Sequence, residues 1–246
     1  MKDMNRESKK KAAVPDRVTP GNPLAKRSVT VRGKSKQGNP TIAAVLQLLE
    51  QHYPHAECAL THQTPFQLLA ATILSAQCTD VMVNQVTPAL FAKAPDAKTM
   101  LQLSQVELEG LIRRTGFYSN KAKNLLGMAR GIVEQFQGEV PQTMQELIKL
   151  PGVGRKTASV VLGVAFHKSE GIVVDTHVAR LSQRLGWSKE TEPVKIERDL
   201  MKIIPLDKWI EISHQLIFRG RGLCNARKQR CGDCFLQKMC PSANLL

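Results

Sequence analysis

The chain has 246 residues, of which 42% are apolar and 4% aromatic, enough for one globular domain or two small ones sharing a core. Its apolar stretches reach about ten residues, as at Ala158–Phe166, too short to cross a bilayer, and no apolar leader with a small-residue cleavage site follows the charged start; a transmembrane protein is excluded and a secreted one is not expected. Thirty-five basic against 21 acidic residues leave +14, of which +8 lies in residues 1–40, so a basic tail precedes a mildly basic globule whose first expected partner is nucleic acid.

In chain order, residues 1–38 combine Pro, Gly, Lys and Ser without apolar periodicity and are expected to form a disordered basic extension. Asn39-Pro40 starts a helix striped by Ile42, Val45, Leu46 and Leu49. Thr64-Pro65 starts a second, through Leu68, Leu69 and Ile73 towards Ser75. Thr79 caps a third, with Val83 and Val86 before Pro88 interrupts it. Ser104-x-x-Glu107 and Thr143-x-x-Glu146 both fit the capping box. Ser119 is read as the cap of a helix of about 17 residues that ends at the Gly138 turn. Further helices are expected at 155–166, 176–185, 193–203 and 207–221. Ile172-Val173-Val174 is too short and isolated for a sheet, so the fold class is all-α.

Leu150-Pro151-Gly152-Val153-Gly154 joins two of these helices. Gly152 and Gly154 permit conformations closed to other residues and let a phosphate approach bare amides. Arg155 and Lys156 then open the next helix, making a corner that follows the DNA backbone without reading sequence. The positive end of the helix dipole and partial burial both favour a neutral Lys156 amine, a nucleophile able to form a Schiff base. From its helix position alone, however, Lys156 reads first as another phosphate contact. Asp175, just before Thr176-His177, changes that balance. It is a natural N-cap, and a cap held as carboxylate also suits a group facing developing positive charge. A nucleophilic amine and a fixed carboxylate are what displacing a base from deoxyribose requires.

Cys224-x6-Cys231-x2-Cys234-x5-Cys240 places four of the six cysteines within 17 residues. Such clustering in a leaderless chain points to a metal or iron–sulfur site in a reducing compartment. The spacing leaves iron–sulfur and zinc both open. Cys58 and Cys78 are read as buried thiols.

The segments Leu150–Ala158 (LPGVGRKTA), Val174–Val178 (VDTHV) and Leu74–Asp80 (LSAQCTD) together resemble the helix-hairpin-helix DNA glycosylase superfamily. The likeness runs from about residue 40 to 240 and lies nearest the endonuclease III branch. It implies a bifunctional DNA glycosylase and AP lyase acting on oxidised pyrimidines in duplex DNA. Lys156 would attack the sugar C1′ and Asp175 would assist proton transfer; β-elimination from the Schiff base would cut 3′ to the lesion. Lysine at 156 and a chain stopping six residues past Cys240 are expected to set it apart from adenine-mismatch glycosylases. The resemblance also implies a [4Fe–4S] cluster on the four cysteines, expected to be structural, with Arg227, Lys228 and Arg230 presented to phosphates between the first two. Gln77 is the candidate plug for the space left by a flipped nucleotide. Phe117 is the candidate opposing wedge, where the family often has Leu. Lys121 is a candidate phosphate contact, and His177 a candidate border of the base pocket, alongside Gly152, Val153, Gly154 and Arg155 as DNA contacts.

The expected architecture is two helical lobes with a DNA-binding cleft between them. A six-helix barrel lobe at 58–168 contains the helix-hairpin-helix at about 144–166. A cluster lobe combines 39–57 with 169–246. An intracellular monomer is expected, in the cytoplasm or nucleoid of a bacterium. The alternatives are a monofunctional glycosylase, a non-catalytic helix-hairpin-helix DNA-binding module, and a redox sensor.

Overall fold

The structure, a computed structural model, describes residues 42–243. The basic tail at 1–38 and the Asn39-Pro40 helix start lie outside them. The elements are α1 (Ile42–His52), α2 (Pro65–Leu74), α3 (Asp80–Lys93), α4 (Ala97–Met100), α5 (Gln105–Ile112), α6 (Tyr118–Phe136), α7 (Met144–Leu147), α8 (Arg155–Phe166), α9 (Thr176–Arg184), α10 (Pro193–Ile203) and α11 (Trp209–Arg221), with short 3-10 turns between some of them. Among the described residues the sole extended pairing is an isolated bridge, Cys224 to Gln229. No described helix is long and apolar enough to cross a membrane.

Local chemistry sets most helix starts. Thr64 accepts the Gln67 N–H with Pro65 at the first helical position, and Thr79 accepts the Met82 N–H. Ser104 and Glu107 form both bonds of a capping box. Thr143 forms half of one: it accepts the Glu146 N–H, but the Glu146 carboxylate takes the Thr143 hydroxyl instead of its backbone amide. Two expectations change, and one helix was not foreseen. Pro88 does not interrupt α3, which continues to Lys93. Pro88 lies on the exposed side, where the carbonyl left without an amide partner can turn to water. Helix α6 starts at Tyr118, not after a Ser119 cap: Phe117 occupies the N-cap position in the left-handed region with no side-chain cap bond. The short α4 has its own capping box, Asp96 with Thr99, which a four-residue helix is too brief to announce by periodicity.

Two apolar cores define two lobes. One draws on α2 to α8, from Leu60 to Leu162. The other combines Val45 and Leu49 of α1 with residues from Ile172 to Leu236, on α9, α10, α11 and the cysteine loop. In the first lobe α2 packs on α8, and α6 takes α4 and α5; in the second, α11 packs on α9 and α1. Two ion pairs cross between the lobes, Arg155 to Glu197 at 3.1 Å and Arg221 to Asp80 at 2.7 Å.

Candidate active site

The turn between α7 and α8 is closed by its own backbone: the Leu150 N–H donates to Leu147 O and the Val153 N–H to Leu150 O, both at 3.1 Å. Gly152 has φ +77°, and a Cβ there would stand 2.8 Å from Asn124 Cβ, so glycine is needed for conformation and for room. On α6, Gly127 and Gly131 make space for Pro151 and Leu150; Cβ atoms would lie 2.9 Å from Pro151 Cγ and 2.7 Å from Leu150 Cδ2 respectively. Buried Val153 anchors the turn. Gly154 is different. It is the N-cap of α8 with extended backbone and no side-chain cap, and the place a Cβ would occupy is open space. The first amides of α8, which have no intrahelical acceptor, are therefore approachable by an anion.

Lys156, the second residue of α8, is exposed and not partly buried as expected, and it lines a cleft between the two lobes with about 890 Å³ of empty space including its mouth. Asp175 lines the same cleft from the start of α9. Its Oδ1 accepts the His177 and Val178 N–H groups, both at 2.8 Å, while Oδ2 takes no hydrogen bond among the described residues. Helix capping thus holds the carboxylate in place through one oxygen and leaves the other without a hydrogen bond among the described residues.

The remaining walls come from residues the sequence reading assigned no role. Ser75 and Asp80 lie at the junction of α2 and α3, and Ser213, His214 and Arg221 on α11. Asp80 was within the quoted LSAQCTD segment; its partner Arg221 is 141 positions away and carried no local signal. Burial pushes the His214 imidazole below its usual range, partly opposed by the Glu57 charge, so the cleft contains a ring that favours its neutral form. Gly127 and Gly131, four apart on one face of α6, were the available sign of a close approach.

Three sequence candidates stand differently from their expected roles. Lys121 is 4% exposed, and its ammonium donates to Leu74 O at 2.9 Å and Thr115 O at 2.8 Å. It is an internal tie and not a surface phosphate contact; burial lowers its pKa. His177 is half-buried and not among the residues lining the cleft. Its Nδ1 lies 3.2 Å from Arg180 Nη2, and Arg180 also donates to the carbonyls of Gly220 and Cys224. Arg155 is half engaged: its guanidinium bonds both carboxylate oxygens of Glu197, which raises its pKa. Gly171 leaves room for this pair, since a Cβ there would fall onto the Glu197 carboxylate.

Gln77 and Phe117 are both exposed and both hold positive φ, 51° and 47°. Such backbone is strained for residues other than glycine and concentrates at functional surfaces. Phe117 is 65% exposed, an unusual placement for a large apolar side chain.

All four loop cysteines line a second cavity, of about 330 Å³ of empty space, with Arg184 and Arg219. Arg184 Nη1 lies 3.1 Å from Cys224 Sγ, Arg219 Nη2 lies 2.8 Å from Cys234 Sγ, and the Leu236 N–H points to the same sulfur at 3.3 Å. The Nε and Nη1 of buried Arg219 have no hydrogen-bond partner among the described residues. Among the described residues no three His, Cys, Asp or Glu side chains are grouped so as to hold a metal ion. Arg227, Lys228 and Arg230 are exposed on the loop before Cys231, whose turn is closed by Lys228 N–H to Asn225 Oδ1 at 2.7 Å.

These features, a glycine hairpin opening onto a lysine and an aspartate in one cleft, coincide with a family pattern. The profile of the HhH-GPD superfamily of base excision DNA repair proteins matches residues 70–206, and the chain belongs to that superfamily. Within it, the chain is 58% identical over 199 residues to the endonuclease III of Synechocystis sp., covering 81% of this chain and 91% of that protein. It is 47% identical over 189 residues to the endonuclease III of Bacillus subtilis, covering 76% and 86%. A solved structure of a trapped endonuclease III–DNA covalent intermediate, the estranged-adenine complex, is 43% identical with a TM-score of 0.78, covering 82% of this chain and 95% of that one.

Proposed function

We propose that this protein is a base excision repair DNA glycosylase with AP lyase activity, which removes oxidised pyrimidines from duplex DNA and cuts 3′ to the abasic site through a Lys156 Schiff base. The observation that carries the chemistry is the meeting of Lys156 and Asp175 in one cleft beside the Gly154 corner. The bare amides of α8 seat a backbone phosphate, which brings the extruded nucleotide to Lys156.

The Lys156 amine bonds to C1′ as the C1′–N bond breaks and the base departs with the bonding electron pair, taking a proton from water. Asp175 accepts the proton lost by the attacking nitrogen, and its charge opposes the positive charge developing on the sugar. The C1′–O4′ bond then opens to the Schiff base, with O4′ taking a proton. Loss of a C2′ proton expels the 3′ phosphate with the C3′–O electron pair. Water hydrolyses the imine and returns the Lys156 amine. Asp175 holds its position through two backbone amides, so it needs no reorganisation during these steps.

Cys224, Cys231, Cys234 and Cys240 are the residues that would hold a [4Fe–4S] cluster. Four thiols around one cavity are the donor set such a cluster takes. The unpartnered Nε and Nη1 of buried Arg219 lack the acceptors that cluster sulfides provide. When bound, the cluster supplies cross-links that fix the loop bearing Arg227, Lys228 and Arg230 for phosphate contact. Thiols of this kind suit a reducing compartment that contains DNA, the cytoplasm in a bacterium.

The test is borohydride trapping on a duplex with one thymine glycol, comparing the natural chain with Lys156→Gln. A covalent adduct lost in the variant is expected. Base release without an adduct would move the protein to monofunctional glycosylases, and the absence of both adduct and base release would leave only a DNA-binding module or a different substrate. Metal analysis of the same preparation should find iron and sulfide; zinc in their place would overturn the cluster assignment.

A further inference from the structure

A glycosylase that extrudes a nucleotide must enter the duplex from two loops at once, and the distance between them must be set by something. The turn carrying Gln77 follows α2 and closes through Cys78 N–H to Ser75 O at 3.1 Å. The turn carrying Phe117 follows a 3-10 segment, Arg113–Thr115, and passes through Gly116 at φ +69°. These turns are far apart in the chain, and a single buried ammonium joins them. Lys121 Nζ bonds Leu74 O, three residues before Gln77, and Thr115 O, two residues before Phe117. Leu74 O belongs to the last turn of α2, where carbonyls lack intrahelical donors and a cation is favoured by the helix dipole. Lys121 itself sits one turn into α6, with its N–H on Phe117 O at 3.1 Å. It is thereby tied to the Phe117 loop by both main chain and side chain.

Among the described residues no carboxylate is bonded to this ammonium, and two carbonyls receive it. Burying a cation is an expensive way to fill a core when an apolar side chain of like length is available. Its use here buys geometry. We propose that Lys121 is a positioning residue, which fixes the Gln77 loop against the Phe117 loop so that both side chains enter the duplex together. The inference rests on the glycosylase reading and on Gln77 and Phe117 as the inserting side chains.

The experiment uses the full chain, with Lys121→Met and Lys121→Arg as variants. Insertion is read as the fluorescence rise of 2-aminopurine beside a non-cleavable tetrahydrofuran abasic site. Base release is read in single turnover on a thymine-glycol duplex. Schiff-base trapping is read at an abasic site in single-stranded DNA, where no partner strand has to be displaced. For Lys121→Met, insertion and duplex base release should fall about ten- to hundredfold while single-strand trapping stays within about twofold, because misplaced loops impair geometry and not the nucleophile. Lys121→Arg, which keeps a cation with several donors, should restore most of the loss. Equal losses on single-stranded and duplex DNA, or an unchanged fluorescence rise, would overturn the proposal. Should Lys121→Met fail to fold, Lys121→Gln carries the same comparison. A natural chain that neither releases base nor traps would sink the glycosylase reading and this inference with it; an active natural chain matched by Lys121→Met would sink this inference alone.

Discussion

Asp175 caps α9, and two substitutions separate that folding duty from the chemical one proposed for it. Asparagine also caps helices well, so Asp175→Asn should keep the two amide bonds of α9 and leave thermal stability nearly unchanged. It removes the charge, and single-turnover base release should fall about 10²–10⁴-fold, the range for a positioned acid–base group. Asp175→Ala should lose the same activity and, in addition, about 0.5–2 kcal/mol of stability in urea denaturation. If Asp175→Asn kept full activity, the carboxylate would be only a cap. At this scale the chain was readable where a residue acts on its immediate neighbours. The Thr64, Thr79 and Ser104 caps and the Asp175 cap are bonds to amides two or three positions on. Lys121 and Lys156 show the limit. Both lie in the first turn or so of a helix, yet one is buried on carbonyls and the other faces a cleft. The glycine turn just ahead of Lys156 is a local sign of its place, whereas nothing within a few residues of Lys121 announces its burial.

The hairpin works as an element because its glycines do different jobs. Gly152→Ala combines a positive φ with contact on Asn124, and should cost about 1–3 kcal/mol of stability in chemical denaturation. Gly154→Ala meets open space at negative φ, so the fold should persist. Its methyl group would stand where a phosphate approaches the α8 amides, and duplex affinity in filter binding should drop. A variant that binds duplex as tightly as the natural chain would show that the anion does not come to this corner. The element was legible because PGVG between capped segments is local chemistry. Its backing by Gly127 and Gly131 was legible only in part: two glycines four apart on one helix face signal a close approach, but what packs on them, Pro151 and Leu150, is set by the tertiary structure. The start of α6 likewise escaped: Phe117 takes the N-cap position because the strained turn and Lys121 place it there, against the Ser119 propensity.

At the scale of the molecule, two lobes meet along a cleft, and its titratable groups couple stability to pH. His214 lines that cleft with its pKa lowered from 6.5 by burial. The folded state therefore refuses a proton that the unfolded chain accepts. The contribution of His214 is fully present above about pH 6.5 and is lost as pH falls from there towards its lower folded value. Melting temperature should decline over that window, and His214→Gln should flatten the decline; an identical slope in both chains would place the titration elsewhere.

What the sequence by itself determined is the all-helical character, the hairpin with Lys156 and Asp175, and the clustered thiols. Each is written in caps, glycines and spacings a few residues long. The tertiary structure alone decided which cations are free and which are internal ties. It set Asp80 against Arg221 and Arg155 against Glu197, and brought Ser75 and His214 to the wall that Lys156 faces. The physical reason is range: a cap or turn is a hydrogen bond between near neighbours, whereas burial, and ion pairs between segments as far apart as residues 80 and 221, exist only once the lobes have packed.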